Sequence, residues 1–168
     1  MPYTVFIFAD SSIELLPENL YKNNLIIKYA KKRNKDPSQI ILDSNFLFIP
    51  AQFRIDIFEE LKRLLNKNLE LIMLSSTYEE IRKFTESKTT KIRRQATIAL
   101  MFADKCKKVP IQALNEESND DIIFRMALKW KCPVATNDRA LKTRLRKANI
   151  PIIYLRQKSH LEIEGNMP

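Results

Sequence analysis

Five acidic side chains, Asp43, Glu80, Asp120, Asp121 and Asp138, stand in contexts where a carboxylate can do chemistry. Asp43 follows an apolar run in Ile41-Leu42-Asp43-Ser44-Asn45, Glu80 sits in Ser76-Thr77-Tyr78-Glu79-Glu80-Ile81, Asp120 and Asp121 open Asn119-Asp120-Asp121-Ile122-Ile123, and Asp138 closes Val134-Ala135-Thr136-Asn137-Asp138. Carboxylates gathered in one place repel unless cations intervene or some take up protons. A divalent cation resolves that conflict, and hard oxygen ligands of this kind suit Mg²⁺ or Mn²⁺, with water and a substrate phosphate filling the remaining positions. Such an ion lowers the pKa of water, holds a phosphate and offsets charge on the leaving oxygen, which are the requirements of phosphodiester hydrolysis. Taken singly, each acid has an ordinary role. Asp43 can end a turn, Glu79 and Glu80 can be solvated helix charges, and Asp120 and Asp121 favour a helix start through the macrodipole. The chemistry therefore depends on a fold that gathers them.

The pattern of apolar residues supplies such a fold. Residues 40–42, 69–74, 109–112, 133–136 and 150–155 read as buried strands. Between them lie helical spacings: Ile57, Phe58, Leu61, Leu64 and Leu65 share one face, as do Ile122, Ile123, Met126, Ala127 and Trp130, and Leu141, Leu145 and Ala148 mark a last helix. Ser76 with Glu79 forms a capping-box pattern, and Ser118 or Asn119 caps the helix before Trp130. Alternating strands and helices predict a parallel sheet covered on both faces, a three-layer α/β/α sandwich with a central parallel sheet. In such sheets the ligand crevice lies beyond the carboxyl ends of the strands. Each acid falls there, or on the helix just beyond.

Charge points the same way. The 168 residues carry 29 Lys and Arg against 20 Asp and Glu, a formal net charge of +9 that attracts polyanions. Cys106 and Cys132 are distant, with no CxxC pair and no neighbouring His, so buried free thiols are expected rather than a disulfide framework or zinc site. The apolar runs are too short to span a bilayer, and the start of the chain lacks the basic region of a secretory signal, so a cytoplasmic location with no membrane partner is expected. Residues 5–8 could form another strand and residues 20–32 a short helix. His160, the only histidine, has no partner at ligand spacing, and Trp130 reads as core. Tyr78, beside Glu79, is expected to lie open near the cleft.

Taken together, these motifs resemble the PIN-domain nuclease family. Leu42-Asp43-Ser44-Asn45 resembles the family's first-strand motif, Glu80-Ile81 its second acidic position, Asp120 with Ile123 and Ala127 its third, and Thr136-Asn137-Asp138 its fourth. The resemblance implies a PIN-like fold over residues 40–156, with an N-terminal extension at 1–39 packed on or beside it and a C-terminal tail at 157–168. It implies that Asp43, Glu80, Asp120 and Asp138 form the catalytic, metal-binding cluster of a Mg²⁺- or Mn²⁺-dependent ribonuclease, with Ser44, Asn45, Thr136 and Asn137 supporting it. Asp121 is the second-choice ligand beside Asp120, and Glu79 the alternative to Glu80. Asp10, in Phe8-Ala9-Asp10-Ser11-Ser12, competes with Asp43 as first acid, but that placement forces an insertion of some thirty residues against short-connection priors.

Within the family, residues 131–155 look most like the PIN nucleases that process small-subunit ribosomal RNA, through Cys132, the Ala135 to Arg139 run, the basic helix and the Pro151 to Tyr154 strand. Residues 14–33 resemble a segment of an archaeal ribosome-biogenesis methyltransferase family. Arg139, Lys142, Arg144, Arg146 and Lys147 would hold the RNA backbone, with Lys88, Lys91, Arg93 and Arg94 adding a second basic stretch. The function expected is an endoribonuclease acting on structured RNA such as a ribosomal RNA precursor. Two rivals are a toxin nuclease held by a small antitoxin and a catalytically silent RNA-binding ribosome-assembly factor. The resemblance also implies a homodimer.

Overall fold

The computed structural model describes residues 3–7, 13–17, 37–66 and 68–167. These form two units. The first holds strand β1 (Tyr3–Ile7) paired antiparallel with β2 (Ile13–Pro17). The expected helix at residues 20–32, and Asp10, lie outside the described residues.

The second unit, Ser38–Met167, is built on a six-stranded sheet. Its strands are β3 (Ser38–Leu42), β4 (Leu69–Leu74), β5 (Lys107–Val109), β6 (Val134–Ala135), β7 (Ile152–Arg156) and β8 (His160–Glu164), in the order β5-β4-β3-β6-β7-β8. All neighbours are parallel except β7 and β8. Seven helices accompany them among the described residues: α1 (Ser44–Leu47), α2 (Ile49–Phe53), α3 (Ile57–Leu65), α4 (Ser75–Phe84), α5 (Thr90–Ala103), α6 (Asn119–Trp130) and α7 (Arg139–Lys147).

Successive strand residues point to opposite faces, and here both faces are buried. Ile40, Leu42, Met73, Ala135 and Ile153 join one core with Leu47, Leu61, Ile81 and Ala99 from the helices α1, α3, α4 and α5. Ile41, Ile72, Leu74, Val134 and Ile152 join a second core with Ile123, Met126 and Leu141 from α6 and α7. These are the three layers that the sequence predicts.

The order of the strands places the crevice. From β3 the chain steps to β4 and β5, and then α6 carries it back so that β6 pairs with the other side of β3. The direction of winding thus reverses between β3 and β6, and the loops leaving these two strands diverge to open a crevice. Asp43 follows the last residue of β3 and Thr136 the last residue of β6.

Several elements differ from expectation. The third core strand lies at Lys107–Val109 rather than residues 109–112, because its pairing with β4 uses two exposed lysines. Residues 157–168, read as a tail, include β8. The turn before it sets Gln157 and Lys158 at φ of 50° and 57°, and the Ser159 amide donates to the Arg156 carbonyl at 3.0 Å. Tight turns with two left-handed positions in succession usually advertise themselves with Asn-Gly, so the sequence concealed the strand. Beyond it Gly165, the only glycine, has φ of 95° and runs so close to Pro151 that a Cβ would lie 3.2 Å from its Cα. Leu161 is 4% exposed within the first core. Leu161→Ala is expected to lower unfolding free energy by about 2–4 kcal/mol, read from urea denaturation. An effect below about 0.5 kcal/mol, as at an ordinary surface site, would mean that β8 is peripheral to the fold.

Candidate active site

Asp43 is the buried centre of the crevice, 2% exposed. It caps α1, and its Oδ1 accepts from the Ser44 amide at 2.6 Å and the Ser44 hydroxyl at 3.4 Å. Its Oδ2 accepts from Asn45 Nδ2 and from Thr136 Oγ1, both at 2.6 Å. Thr136 is fully buried, and its Oγ1 also accepts from the Asp138 amide at 3.0 Å. One hydroxyl therefore ties the first acid to the backbone of the last. Asn45 Oδ1 accepts from the Asn137 amide at 2.9 Å, and Asn137 Oδ1 accepts from the Leu155 amide at 2.8 Å, stitching the loops after β3 and β6 to strand β7. Ser44, Asn45, Thr136 and Asn137 thus all bond within the frame around Asp43.

The second pair of acids is joined in the same manner. Glu80, on α4, accepts from Asn119 Nδ2 at 2.7 Å, and Asn119 Oδ1 accepts from the buried Thr77 hydroxyl at 3.2 Å. Asp120 is the next residue on α6. Asn119 thus ties α4 to α6, and it was visible in the sequence only as a capping candidate.

Electrostatics couples the two pairs. Burial, with the charges of Asp120 and Glu80, pushes the Asp43 carboxyl up from 3.8 to about 6, against the lowering effect of its bonds from Thr136 and Ser44. Burial followed by the charges of Asp138 and Glu80 also raises Asp120, while Arg144 opposes the shift. Glu80 thus acts on both Asp43 and Asp120, and Asp138 on Asp120.

The doubtful registers separate here. Asp121 closes the capping box of α6 with Ser118 and pairs with Arg144 at 2.8 Å, so its carboxylate is held below the usual range, chiefly by Ser118. Glu79 is exposed and pairs with Arg82 at 2.7 Å. Asp138 caps α7 through Oδ1, which accepts from the Leu141 amide at 2.7 Å. Ser76 is not the cap of α4: Leu74 takes that position, and the Ser76 hydroxyl is buried without a partner among the described residues. Tyr78 turns away from the crevice, its ring under Lys108 at 4.0 Å and its hydroxyl 3.5 Å from Asp104. Trp130 packs against the second core as expected.

On α7 the predicted basic face is partly spent. Arg144 pairs with Asp121 and lies 4.7 Å over Phe124, Arg146 pairs with Glu164, and Lys142 lies 4.7 Å over Tyr154. Arg139 and Lys147 are exposed and unpaired with any carboxylate among the described residues.

Residues 40–158 match the family described as PIN like domain. The chain belongs to the PIN-domain family. Ribonuclease VapC4 of Methanocaldococcus jannaschii is 32% identical over 128 residues, 76% of this chain and 97% of that protein. The rRNA-processing protein fcf1 of Schizosaccharomyces pombe is 29% identical over 119 residues, 70% of this chain and 58% of that protein. The PIN domain endonuclease Utp24 superposes with a TM-score of 0.64 at 28% identity, covering 78% of this chain and 94% of that structure. A 40-residue stretch is also 50% identical to the ribosomal RNA small subunit methyltransferase Nep1 of Pyrococcus furiosus, 24% of this chain and 18% of that protein.

The PIN-domain acids present hard oxygen donors, the type that Mg²⁺ and Mn²⁺ prefer. No hydrogen bond within the described residues occupies the Asp120 carboxylate, and Glu80 Oε1 and Asp138 Oδ2 are also uncommitted. Among the described residues, no three acidic, thiol or imidazole groups form a ready-made chelating group. The four acids are coupled by charge rather than gathered on one point. No helix among the described residues is long and apolar enough to cross a membrane.

Asp43 also makes stability depend on pH. Between 3.8 and about 6 the folded chain keeps a proton that the unfolded chain has released, so this group's contribution is full below 3.8 and is lost as pH rises through about 6. The loss amounts to about 3 kcal/mol. In EDTA, the stability difference between Asp43→Asn and wild type should therefore move in the variant's favour by about that much from about pH 4 to about pH 7. A difference that stays flat across this range would show that Asp43 ionises as freely as an exposed carboxylate.

Proposed function

We propose that this PIN-domain protein is a metal-dependent endoribonuclease, with Asp43, Glu80, Asp120 and Asp138 as its catalytic acids and Mg²⁺ or Mn²⁺ as its cofactor. The observation that carries the reading is the delivery of four carboxylates by four separate chain segments to the reversal point of the sheet, where the charges of Glu80, Asp120 and Asp138 help to raise the Asp43 and Asp120 carboxyls. When bound, the dication supplies activation of water and charge compensation at the leaving oxygen. The chain supplies position. Thr136 and Asn45 fix the Asp43 carboxylate, Asn119 fixes Glu80, and the caps of α6 and α7 hold Asp120 and Asp138 at helix starts. Ser44 and Asn137 complete the frame. Asp121 is assigned to capping rather than ligation, since Ser118 and Arg144 already use it.

RNA is the substrate class supported by the net charge of +9 and by the ribonuclease and rRNA-processing relatives. Arg139, Lys142 and Lys147 on α7 are the backbone contacts left without a carboxylate partner among the described residues, with Arg144 and Arg146 shared with theirs. Processing of a ribosomal RNA precursor is the leading role, in keeping with fcf1 and with the methyltransferase-like stretch. The near-complete coverage of VapC4 favours a second reading, a toxin nuclease paired with an antitoxin. A neighbouring gene for a small antitoxin would decide for the toxin. A cytoplasmic setting and a homodimer belong to the same reading.

Cleavage of a labelled RNA with Mn²⁺ is expected to fall on the order of a hundredfold or more in Asp43→Asn, Glu80→Gln, Asp120→Asn and Asp138→Asn, while Asp121→Asn stays near wild type. Full activity of Asp43→Asn would overturn the site. Absence of cleavage by wild type, with RNA affinity intact, would leave a silent assembly factor. In thermal and denaturant unfolding, Mn²⁺ at about one hundred times its Kd should stabilise wild type by about 2.7 kcal/mol. Asp120→Asn should lose most of that gain, and equal stabilisation of both proteins would place the ion elsewhere.

A further inference from the structure

Phe84 ends α4 one helical turn beyond Glu80, on the same face, since residues four apart on a helix are neighbours about 6 Å apart. Phe84 is 41% exposed although it has a packing partner. That partner is Phe48, whose ring meets it at 5.8 Å and 87°. Phe48 joins α1 to α2, and α1 is the helix capped by Asp43. A T-shaped contact covers at most one face of the ring, in keeping with the exposure that Phe84 retains. The ring is thus braced by the two elements that carry Asp43 and Glu80.

The chain then turns through residues 85–89 into α5, and Lys88, Lys91, Arg93 and Arg94 follow within seven residues. All four are exposed, and none pairs with a carboxylate among the described residues. This sets them apart from Arg144 and Arg146 on α7. The first turn of α5 carries no acid, and positive charge there opposes the helix macrodipole. Helix stability therefore does not account for these residues. Arg93 is also fixed in direction, donating to the Ser87 carbonyl at 3.2 Å and to the Thr90 hydroxyl at 3.3 Å.

An open ring beside an acidic centre, continued by unpaired cations, matches a ligand that offers a flat base and a run of phosphates. The geometry points to Phe84 as a stacking platform for an unpaired base next to the scissile phosphate, with Lys88, Lys91, Arg93 and Arg94 holding the strand that leads away. The inference rests on the hydrolytic reading of the acids and assigns to Phe84 the unpaired base beside the cut, because a base inside a duplex cannot leave its neighbours to stack on a side chain without unpairing. Phe84 is a specificity-determining residue, not one of the catalytic acids.

The test uses the full-length Asp43→Asn chain in EDTA, so that binding is read without cleavage. The probe is a fluorescein-labelled twelve-nucleotide oligoadenylate, alone or annealed to its complement. Adding Phe84→Leu, which keeps the apolar contact with Phe48, should weaken single-strand binding about tenfold and leave duplex binding and the thermal midpoint unmoved. Phe84→Trp should restore affinity, with indole fluorescence quenched on binding beyond any change seen with Trp130 alone. Replacing the four cations by Gln should flatten the salt dependence by roughly 0.7 in log–log slope for each phosphate no longer neutralised. Unchanged single-strand affinity in Phe84→Leu, equal losses for both probes, or a changed oligomeric state in that variant would each overturn the proposal, the last by making the ring a protein contact. If otherwise wild-type protein cuts no RNA yet shows the Phe84 dependence, the stacking surface stands and the hydrolytic reading alone fails.

Discussion

A carboxylate taken out of water must be repaid in hydrogen bonds, and the burial of Asp43 is the constraint on which the rest of this structure depends. Stripping a charge of its hydration costs several kcal/mol unless donors replace the lost water. Donors close enough to do so come from two places: the start of α1, which Asp43 itself caps, and the end of β6, which brings Thr136. The second exists only because β6 pairs with β3. Sheet topology and site chemistry are therefore one requirement, since any strand order that separated β3 from β6 would leave the carboxylate without its bond from Thr136. The remaining strain, visible as a carboxyl still pushed up to about 6, is what a cation would relieve.

Much of this was legible in the sequence because the signals are local. Residues 69–74 alternate between the two cores, so β4 could be delimited to the residue. The four acids kept their order and their places beyond strand ends, and the hydroxyl and amide residues beside Asp43 and Asp138 bond much as their types suggest. What stayed hidden lacked a local signature. Helix α5 buries Ala96, Ala99 and Ala103, residues too small to raise an amphipathic signal. Strand β8 follows a turn whose left-handed positions hold Gln157 and Lys158 in place of glycine or asparagine. Tyr78 and Ser76 illustrate a different failure. Position near an acid in sequence does not say which side of a helix faces the crevice, and one residue of rotation sends Tyr78 away from it.

Charge counting was similarly incomplete. The helix α7 looked like the dominant basic surface, yet the fold pairs Arg144 and Arg146 with Asp121 and Glu164, which are distant in sequence. Those pairs brace α6 and β8 against α7. Unpaired positive charge is concentrated instead at the start of α5, where the sequence showed only a shorter run. A net charge describes attraction at long range, while the pairing pattern decides which face the attraction reaches.

The bond between Thr136 and Asp43 spans 93 positions of the chain. During synthesis, Asp43, Glu80 and Asp120 all leave the ribosome before the strand that completes their cluster, and non-local closure of this kind comes late in folding. Until then the chain lacks both the Thr136 hydroxyl that holds Asp43 and the fourth acid, Asp138. A polypeptide able to cut RNA would in this way spare the message and the ribosome producing it until the last third of the domain had been delivered.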